Sequence, residues 1–308
     1  MHSNTRGAVS VGAELSAAVM LLKLYALLAL LVSSYQTAGG IRSLDMVLAH
    51  YVEPVEDVAR FVQSARDALR TQVECINIYV YHQGQALNRT VFPSDWKVEM
   101  MTGNVNREAR AYASYLRGHR HADSQFVWFT QALPNGATGH CHHKNYVWAR
   151  LKHLTERTGM LALCGVGHSD CRTDWRTDWA SGARILEMYV LTQRTFCTDS
   201  SSWTVFFNGE FIVSRRRILS QPEWVYAAIF EQASAPEARF SILDSQRETN
   251  TADPKAGEAA SEIRNYSFSY VMERSWNLLF HCLHAEGGRK YVSDLHLQSK
   301  EFQCYDDI

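Results

Sequence analysis

The 308-residue chain contains no Gly-x-x-x-x-Gly-Lys phosphate loop, no Gly-x-Gly-x-x-Gly dinucleotide turn and no Gly-x-Ser-x-Gly nucleophile elbow. Kinase, Rossmann dehydrogenase and α/β-hydrolase chemistry each rest on one of these turns, so none of those classes has motif support. No His-Glu-x-x-His, no Cys-x-x-Cys pair and no finger spacing occurs, which removes the familiar zinc arrangements. An excess of charge is also missing. Thirty-one basic residues balance 32 acidic ones, for a formal net charge of −1. Such a chain has no bulk electrostatic attraction to DNA or RNA, so no nucleic-acid partner is expected. The short run Arg215–Arg217 reads as a solvated helix or strand end. Only one long apolar run is present, which excludes a multispanning channel or transporter.

The chain has what a folded domain needs. Hydrophobic residues make up 46% and charged residues 20%, enough apolar material for a sizeable core and too much for wholesale disorder. The apolar run is Leu15–Val32, with eight leucines and one charge, Lys23. A lysine near the middle of a span costs roughly 2.5–3.5 kcal/mol, and eight leucines at about −0.5 kcal/mol each offset it. The run therefore reads as a signal anchor. Leu24–Val32 followed by Ser33 and Ser34 reads equally as the core of a cleaved signal peptide. Either form delivers the chain to the secretory pathway, as a single-pass type II membrane protein of the Golgi or endoplasmic reticulum or as a secreted protein. Residues 1–40 are then a cytosolic tail, a targeting segment and a linker; residues 41–308 are one domain.

Two sequons, Asn88-Arg89-Thr90 and Asn265-Tyr266-Ser267, agree with lumenal exposure and a glycoprotein. There are seven cysteines, and an oxidising compartment pairs some of them. Cys164 with Cys171 would close a short loop, and Cys282 with Cys304 would pin the tail. The odd count leaves at least one thiol.

Strands and helices alternate along the domain. Leu44–Tyr51 reads as a strand, Val55–Leu69 as a helix with apolar residues on one face, and Ile76–Tyr81 as a strand rich in β-branched and aromatic residues. Together they predict a β-α-β unit on a parallel sheet. Asn106–His119 follows as a helix, Gln125–Thr130 as a strand, Asn145–Arg157 as a helix and Met160–Val166 as a buried strand. Trp203–Ser214 is strand-like but broken by Asn208-Gly209. Gln221–Gln232 suits a helix with Pro222 in its first turn, and Tyr266–His284 returns to helical spacing. Asp244–Glu262 is polar and reads as a mobile loop. The fold class expected is α/β, with a mostly parallel sheet flanked by helices. A tandem Arg-Thr-Asp-Trp repeat at 172–179 is too short to define a repeat fold.

Few side-chain groupings could carry chemistry. His140, His142 and His143 cluster with Cys141, and a zinc-dependent hydrolase would need His168, Cys164 or Cys171 to complete the site. Glu108, Glu210 and Glu273 lie beside arginines or in apolar surroundings, where a carboxyl becomes a candidate acid or base. Nucleotide-sugar transfer usually uses an Asp-x-Asp at a strand end to hold a metal against a diphosphate. Here the strand runs into Thr130-Gln131-Ala132.

Five segments, in order, resemble a eukaryotic family of proteins well represented in fungi, domain-of-unknown-function family 3431. They are the first strand Asp45–Tyr51 with Glu53, the block Asn104-Val105-Asn106-Arg107-Glu108-Ala109-Arg110-Ala111-Tyr112, the strand end Phe129-Thr130-Gln131-Ala132, the segment Phe211-Ile212-Val213-Ser214 before Pro222, and Glu273-Arg274-Ser275-Trp276. Asn106 stands where the family has glycine, and asparagine tolerates left-handed backbone. The likeness spans about residues 45–281. It implies a nucleotide-diphospho-sugar transferase-like domain of GT-A type, and a glycosyltransferase-like protein that takes a nucleotide-sugar donor and a glycan or glycoprotein acceptor, with room for Mn²⁺ or Mg²⁺ as cofactor. By that analogy the cleft lies at the C-terminal ends of the parallel strands. His50, Tyr51, Arg107, Gln131, His140 and Arg274 would then bind substrate, and Glu108, Glu210 and Glu273 would be the catalytic carboxylates. No residue is expected to bind metal directly. A degenerate, non-catalytic scaffold of the same fold is the alternative.

Overall fold

The computed structural model describes residues 40–103, 105–133, 146–170, 182–195, 202–206, 209–235, 268–269, 271–283 and 303–306. The chain divides into two units, residues 1–40 and 41–308. The expected targeting segment, the loop at 244–262, the repeat at 172–179 and His140–His143 all lie outside the described residues. Among the described residues no helix is long and apolar enough to cross a membrane.

The second unit begins as the sequence pattern predicts. β1 (Ile41–His50) leads through α1 (Val55–Leu69) into β2 (Val73–His82), and the two strands pair in parallel, His50 opposite His82. Val58, Phe61, Val62, Ala65 and Leu69 form the buried face of α1, a stripe at helical spacing. β3 (Lys97–Met100) is a short edge strand beside β2. α2 (Arg107–His119) packs on β1, and β4 (Phe126–Gln131) joins β1 in parallel on its other side. Leu44 and Met46–Leu48 are fully buried, as expected of a central strand covered on both faces.

Beyond β4 the sheet changes character. Its order is β3-β2-β1-β4-β8-β5-β9. β8 (Phe211–Ser214) runs antiparallel to both β4 and β5 (Thr158–Ala162), and β9 (Gln303–Tyr305) runs antiparallel to β5. The sheet is therefore mixed, with four contiguous parallel strands at one end. Met160–Val166 is not one buried strand. It ends at Ala162, and β6 (Val166–Asp170) leaves to pair with β7 (Ser202–Phe206) in a separate two-stranded sheet. Gly165 stands at the break, and a glycine weakens a strand interior. The remaining helices are α3 (Tyr146–Leu151), shorter than its pattern, α4 (Gly182–Gln193), α5 (Arg215–Ser220), α6 (Glu223–Ser234), entered through Pro222, and a helix over residues 271–279, here α7.

The two halves of the sheet are joined by charge. Asp45 on β1 is buried at 1% exposure. Its carboxylate accepts bonds from Asn77 Nδ2 (2.8 Å), Ser124 Oγ (2.8 Å), the Tyr115 phenol and Arg215 Nη2 (3.2 Å). Arg215 also donates to the carbonyls of Ser124, His119 and Arg120. The arginine run is thus not a solvated end. Arg215 is a core residue, and Arg217 binds Asp306 (2.8 Å) and the carbonyls of Phe280, His281 and Tyr305. A buried, fully hydrogen-bonded ion pair can replace water where an apolar residue could not reach. The Cys282–Cys304 disulfide, anticipated from the sequence, ties β9 to the end of α7. Cys164 is also disulfide-bonded, to a partner outside the described residues, and Cys75 is free and exposed.

Arg215→Ala strands Asp45 in the core. Urea unfolding should show a loss of about 3–5 kcal/mol. Arg60→Ala, which removes an exposed pair with Asp57, should cost less than about 0.5 kcal/mol.

Candidate functional site

The C-terminal end of β4 is where the sequence motifs converge. Glu210 begins the run into β8, and Gly209 before it has φ +60°. A Cβ at 209 would also lie 3.1 Å from Tyr112 Cε2 and 3.3 Å from Glu108 Cγ. Both the backbone and the crowding therefore require glycine, which explains the Asn208-Gly209 break in the strand pattern. The carbonyl of Glu210 accepts from Leu163 N (2.9 Å) and its Oε1 accepts from Gln131 N (2.8 Å). Backbone and side chain of one residue thus close the ends of β5 and β4.

Glu108 lies in the first turn of α2, where the helix N-terminus favours an acid. Its carboxylate stands 3.8 Å from Arg107 Nε and interacts electrostatically with both Glu210 and Glu273. Of the three glutamates singled out from the sequence, Glu108 therefore lies within electrostatic reach of both others. The helix start that presents them is strained. Asn106 (φ 54°) and Arg107 (φ 48°) are both left-handed. Asn106 tolerates this conformation as its place in the motif suggests; an arginine does so at a cost of about 1 kcal/mol. Surroundings hold it there. Asn106 Nδ2 donates to Ala233 O (3.0 Å), Ser269 Oγ donates to Asn106 O, and Gln83 Nε2 donates to Arg107 O (2.6 Å).

Beneath the carboxyls is an aromatic floor. Tyr112 packs on Phe129 (4.9 Å between ring centres) and Trp276 (5.7 Å), and Phe129 packs on Phe211 (5.2 Å). These rings keep water out. Burial pushes the Glu210 carboxyl up to about 8. The Thr130 hydroxyl and the Gln131 N–H hold it down, and the Glu108 charge adds to the rise. The Thr130 hydroxyl can turn to the carboxyl or to the Gln131 carbonyl, 2.9 Å away. Burial likewise raises Glu108, against the lowering by Arg107 and its own N–H, with Glu273 raising it further. The Tyr112 phenol is raised by burial and then by Glu210 and Glu108. Two buried atoms in this cluster have no hydrogen-bond partner, Glu210 Oε2 and the Tyr112 hydroxyl. A buried polar atom without a partner costs roughly 1–3 kcal/mol, so each calls for an explanation, a bound water or ion, strain, or a reacting group.

The other expected site residues are placed less uniformly. Gln131 is half-buried at the rim, bonded through its N–H to Glu210. Arg274 is buried on α7, its carbonyl accepting from the Trp203 indole (2.9 Å). Tyr51 is exposed, just beyond β1. His50 is fully buried and turns to His82, with Nδ1 atoms 2.7 Å apart. His140 lies outside the described residues. Sequence reasoning passed over Tyr112 as a site residue, and also Gly209, Thr130 and His82. A signal for His82 existed, since both β1 and β2 end in histidine. Among the described residues no group of three His, Cys, Asp or Glu side chains is arranged to hold a metal ion.

No family model matches the chain, and no curated protein matches it. The site's chemistry is therefore read from its own side chains.

Glu210 binds a proton more tightly folded than unfolded, so the folded state holds more protons between pH 4.5 and about 8. Stability should fall as pH rises across that window, and the contribution is fully present only below it. In denaturant titrations Glu210→Gln should flatten this slope while leaving the fold intact.

Proposed function

We propose that the chain is a divergent member of domain-of-unknown-function family 3431 and acts as a glycosyltransferase-like enzyme on a nucleotide-sugar donor, with Glu108, Glu210 and Glu273 around the reacting centre. The observation that carries this reading is the convergence of three distant motif segments, 107–112, 129–131 and 273–276, with the turn at 209–211 that carries one buried carboxyl with an unpartnered oxygen. The place suits it too, because ligands of open α/β sheets sit at the C-terminal ends of parallel strands. A GT-A-type plan belongs to the same proposal.

The chemistry follows from the side chains. A carboxyl that titrates near 8 is matched to proton transfer at physiological pH. Glu210 in its ionised form takes the proton of an acceptor hydroxyl as that oxygen bonds to the sugar's anomeric carbon. The bond from that carbon to the diphosphate breaks, and the nucleoside diphosphate leaves with the electron pair. Arg107, half-buried at the rim, offers a planar guanidinium to the leaving phosphates. Gln131 holds a substrate hydroxyl, and burial with the Glu108 charge keeps the Glu210 proton affinity high. The carboxyl cluster is not arranged as a metal site, so no step is assigned to Mn²⁺ or Mg²⁺.

A second reading has its own support. The strand end lacks an Asp-x-Asp, and Glu210 Oε1 is committed to the Gln131 N–H, as it would be in a scaffold with a degenerate cleft. The two are separated by melting shifts of the purified chain with UDP- and GDP-sugars in the presence of Mn²⁺, followed by assays of sugar transfer. The enzyme reading expects a shift with at least one donor, loss of turnover in Glu210→Gln with binding kept, and loss of binding in Arg107→Ala. Absence of a shift with every donor, or full turnover after Arg107→Ala, would overturn it.

Residues 1–40 would deliver this domain to the lumen of the secretory pathway. Asn88 is exposed, and its side chain caps a short turn by accepting from Thr90 N (3.0 Å). In chain made through the endoplasmic reticulum, an endoglycosidase-sensitive mobility shift should be reduced by Asn88→Gln. Mobility unchanged by the enzyme would argue against lumenal delivery.

A further inference from the structure

His50 and His82 close the C-terminal ends of two adjacent parallel strands, in register. Both are buried at 1% exposure. The Nε2 of His50 faces the Glu53 carbonyl (2.9 Å), and the Nε2 of His82 faces the Gln85 carbonyl (2.6 Å). A carbonyl only accepts, so each Nε2 must carry a proton. The two Nδ1 atoms then face each other at 2.7 Å. Three contacts need three protons, and two neutral imidazoles supply two. Any neutral arrangement leaves two lone pairs pressed together, either between the rings or against a carbonyl.

We infer that His50 and His82 share a third proton between their Nδ1 atoms and form a singly charged pair that clamps the ends of β1 and β2. The pair is one titrating unit with two steps, not two independent histidines. Losing the shared proton sets Nδ1 against Nδ1. Gaining a fourth puts two imidazoliums in contact inside the core. The clamp is therefore tightest at intermediate pH and loosens on both sides.

The surroundings act on that charge in both directions. Phe92 packs against both rings, at 5.3 Å from His50 and 6.3 Å from His82, and brings no charge. Glu53, after β1, is the acid that acts on His50 from outside the pair, and its carboxylate is itself bonded to the N–H groups of Tyr51 and Val52. Burial lowers His50 most, Glu53 opposes this by its charge and through its carbonyl, and His82 lowers it further. Charge on His50 is thus opposed by burial and partly restored by Glu53. The loop after β2 crosses the pair closely. A Cβ on Gly84 would fall 1.9 Å from the Tyr51 carbonyl and 2.8 Å from His82 Cε1, so only glycine fits there.

The clamp reaches the candidate site through one residue. Gln83 donates its N–H to the His50 carbonyl (2.9 Å) and its side-chain amide to the Arg107 carbonyl (2.6 Å). The pair is therefore a positioning element for the left-handed turn that presents Arg107. That last consequence rests on the proposed role of Arg107; the shared proton does not.

Two measurements on the full chain separate these claims. In protein labelled with ¹⁵N-histidine, the two Nδ1 signals should lie between imidazole and imidazolium values near neutral pH, show scalar coupling to each other, and titrate together. His82→Gln should abolish the coupling and leave His50 with a single titration still below the ordinary histidine range. Two independent titrations, or two neutral rings without coupling at pH 7, would overturn the pair. Hydrogen exchange of the segments around Gln83 and Arg107 should show protection that peaks at intermediate pH in the native chain and a flat profile in His82→Gln. Protection indifferent to pH in the native chain would overturn the positioning role while leaving the shared proton standing. Neither measurement uses a sugar nucleotide, so the outcome does not depend on whether the chain proves to be a transferase.

Discussion

The Asp45–Arg215 pair is the contact on which the mixed sheet depends. Asp45 stands on the central parallel strand; Arg215 starts the helix that follows the antiparallel strand β8. Their contact, with Ser124, Tyr115 and Asn77, joins β1, β2, α2, the entry to β4 and α5 through one carboxylate. An apolar residue at either place could not satisfy the carbonyls of Ser124, His119 and Arg120 that Arg215 gathers. Isolated ions in such a place would cost several kcal/mol each, and here each is the other's solvent. This fixes the direction in which β8 enters the sheet. That in turn delivers Gly209 and Glu210 to the end of β4, where Glu210 meets Glu108 and Tyr112.

Most of the parallel half was legible in the sequence because its signals are local; the four-residue edge strand β3 was not. The α1 stripe and the β-branched strands on either side follow from spacing alone. The left-handed turn at Asn106 uses a residue that tolerates that backbone, and the disulfide could be anticipated from two cysteines near the tail. The antiparallel half was not legible. Whether Phe211–Ser214 joins the sheet parallel or antiparallel is decided by long-range pairing, and the arginines after it look like surface residues until their buried partners are known. The same holds for Met160–Val166, where an unbroken apolar run conceals a strand that ends and another that leaves for a different sheet.

The carboxylates were legible as residues but not as a group. Glu108, Glu210 and Glu273 are widely separated in sequence, and each could have been a surface ion pair. Their proximity comes from α2, β8 and α7 meeting over the Tyr112–Phe129–Trp276 rings, a tertiary arrangement with no local signature. The His50–His82 pair illustrates the opposite case. Both residues are visible as strand-ending histidines, yet their relation depends on parallel register, in which a shift of one residue would turn the rings to opposite faces.

Asp45 and Glu210, two of the buried acids among the described residues, are held in different ways. Asp45 has both oxygens bonded, to an arginine, an amide and two hydroxyls. Nothing further can bind it, and its role is complete when the chain folds. Glu210 is as deeply buried, but one oxygen has no partner, a nearby phenol is likewise unpartnered, and burial together with the Glu108 charge raises its proton affinity. If Glu210 were only a strap for the end of β4, a glutamine would serve through its side-chain oxygen, without the cost of an acid among acids and with an N–H₂ group for the vacant direction. An acid kept in that position is costly for stability, and its raised proton affinity is what the proposed proton transfer would use.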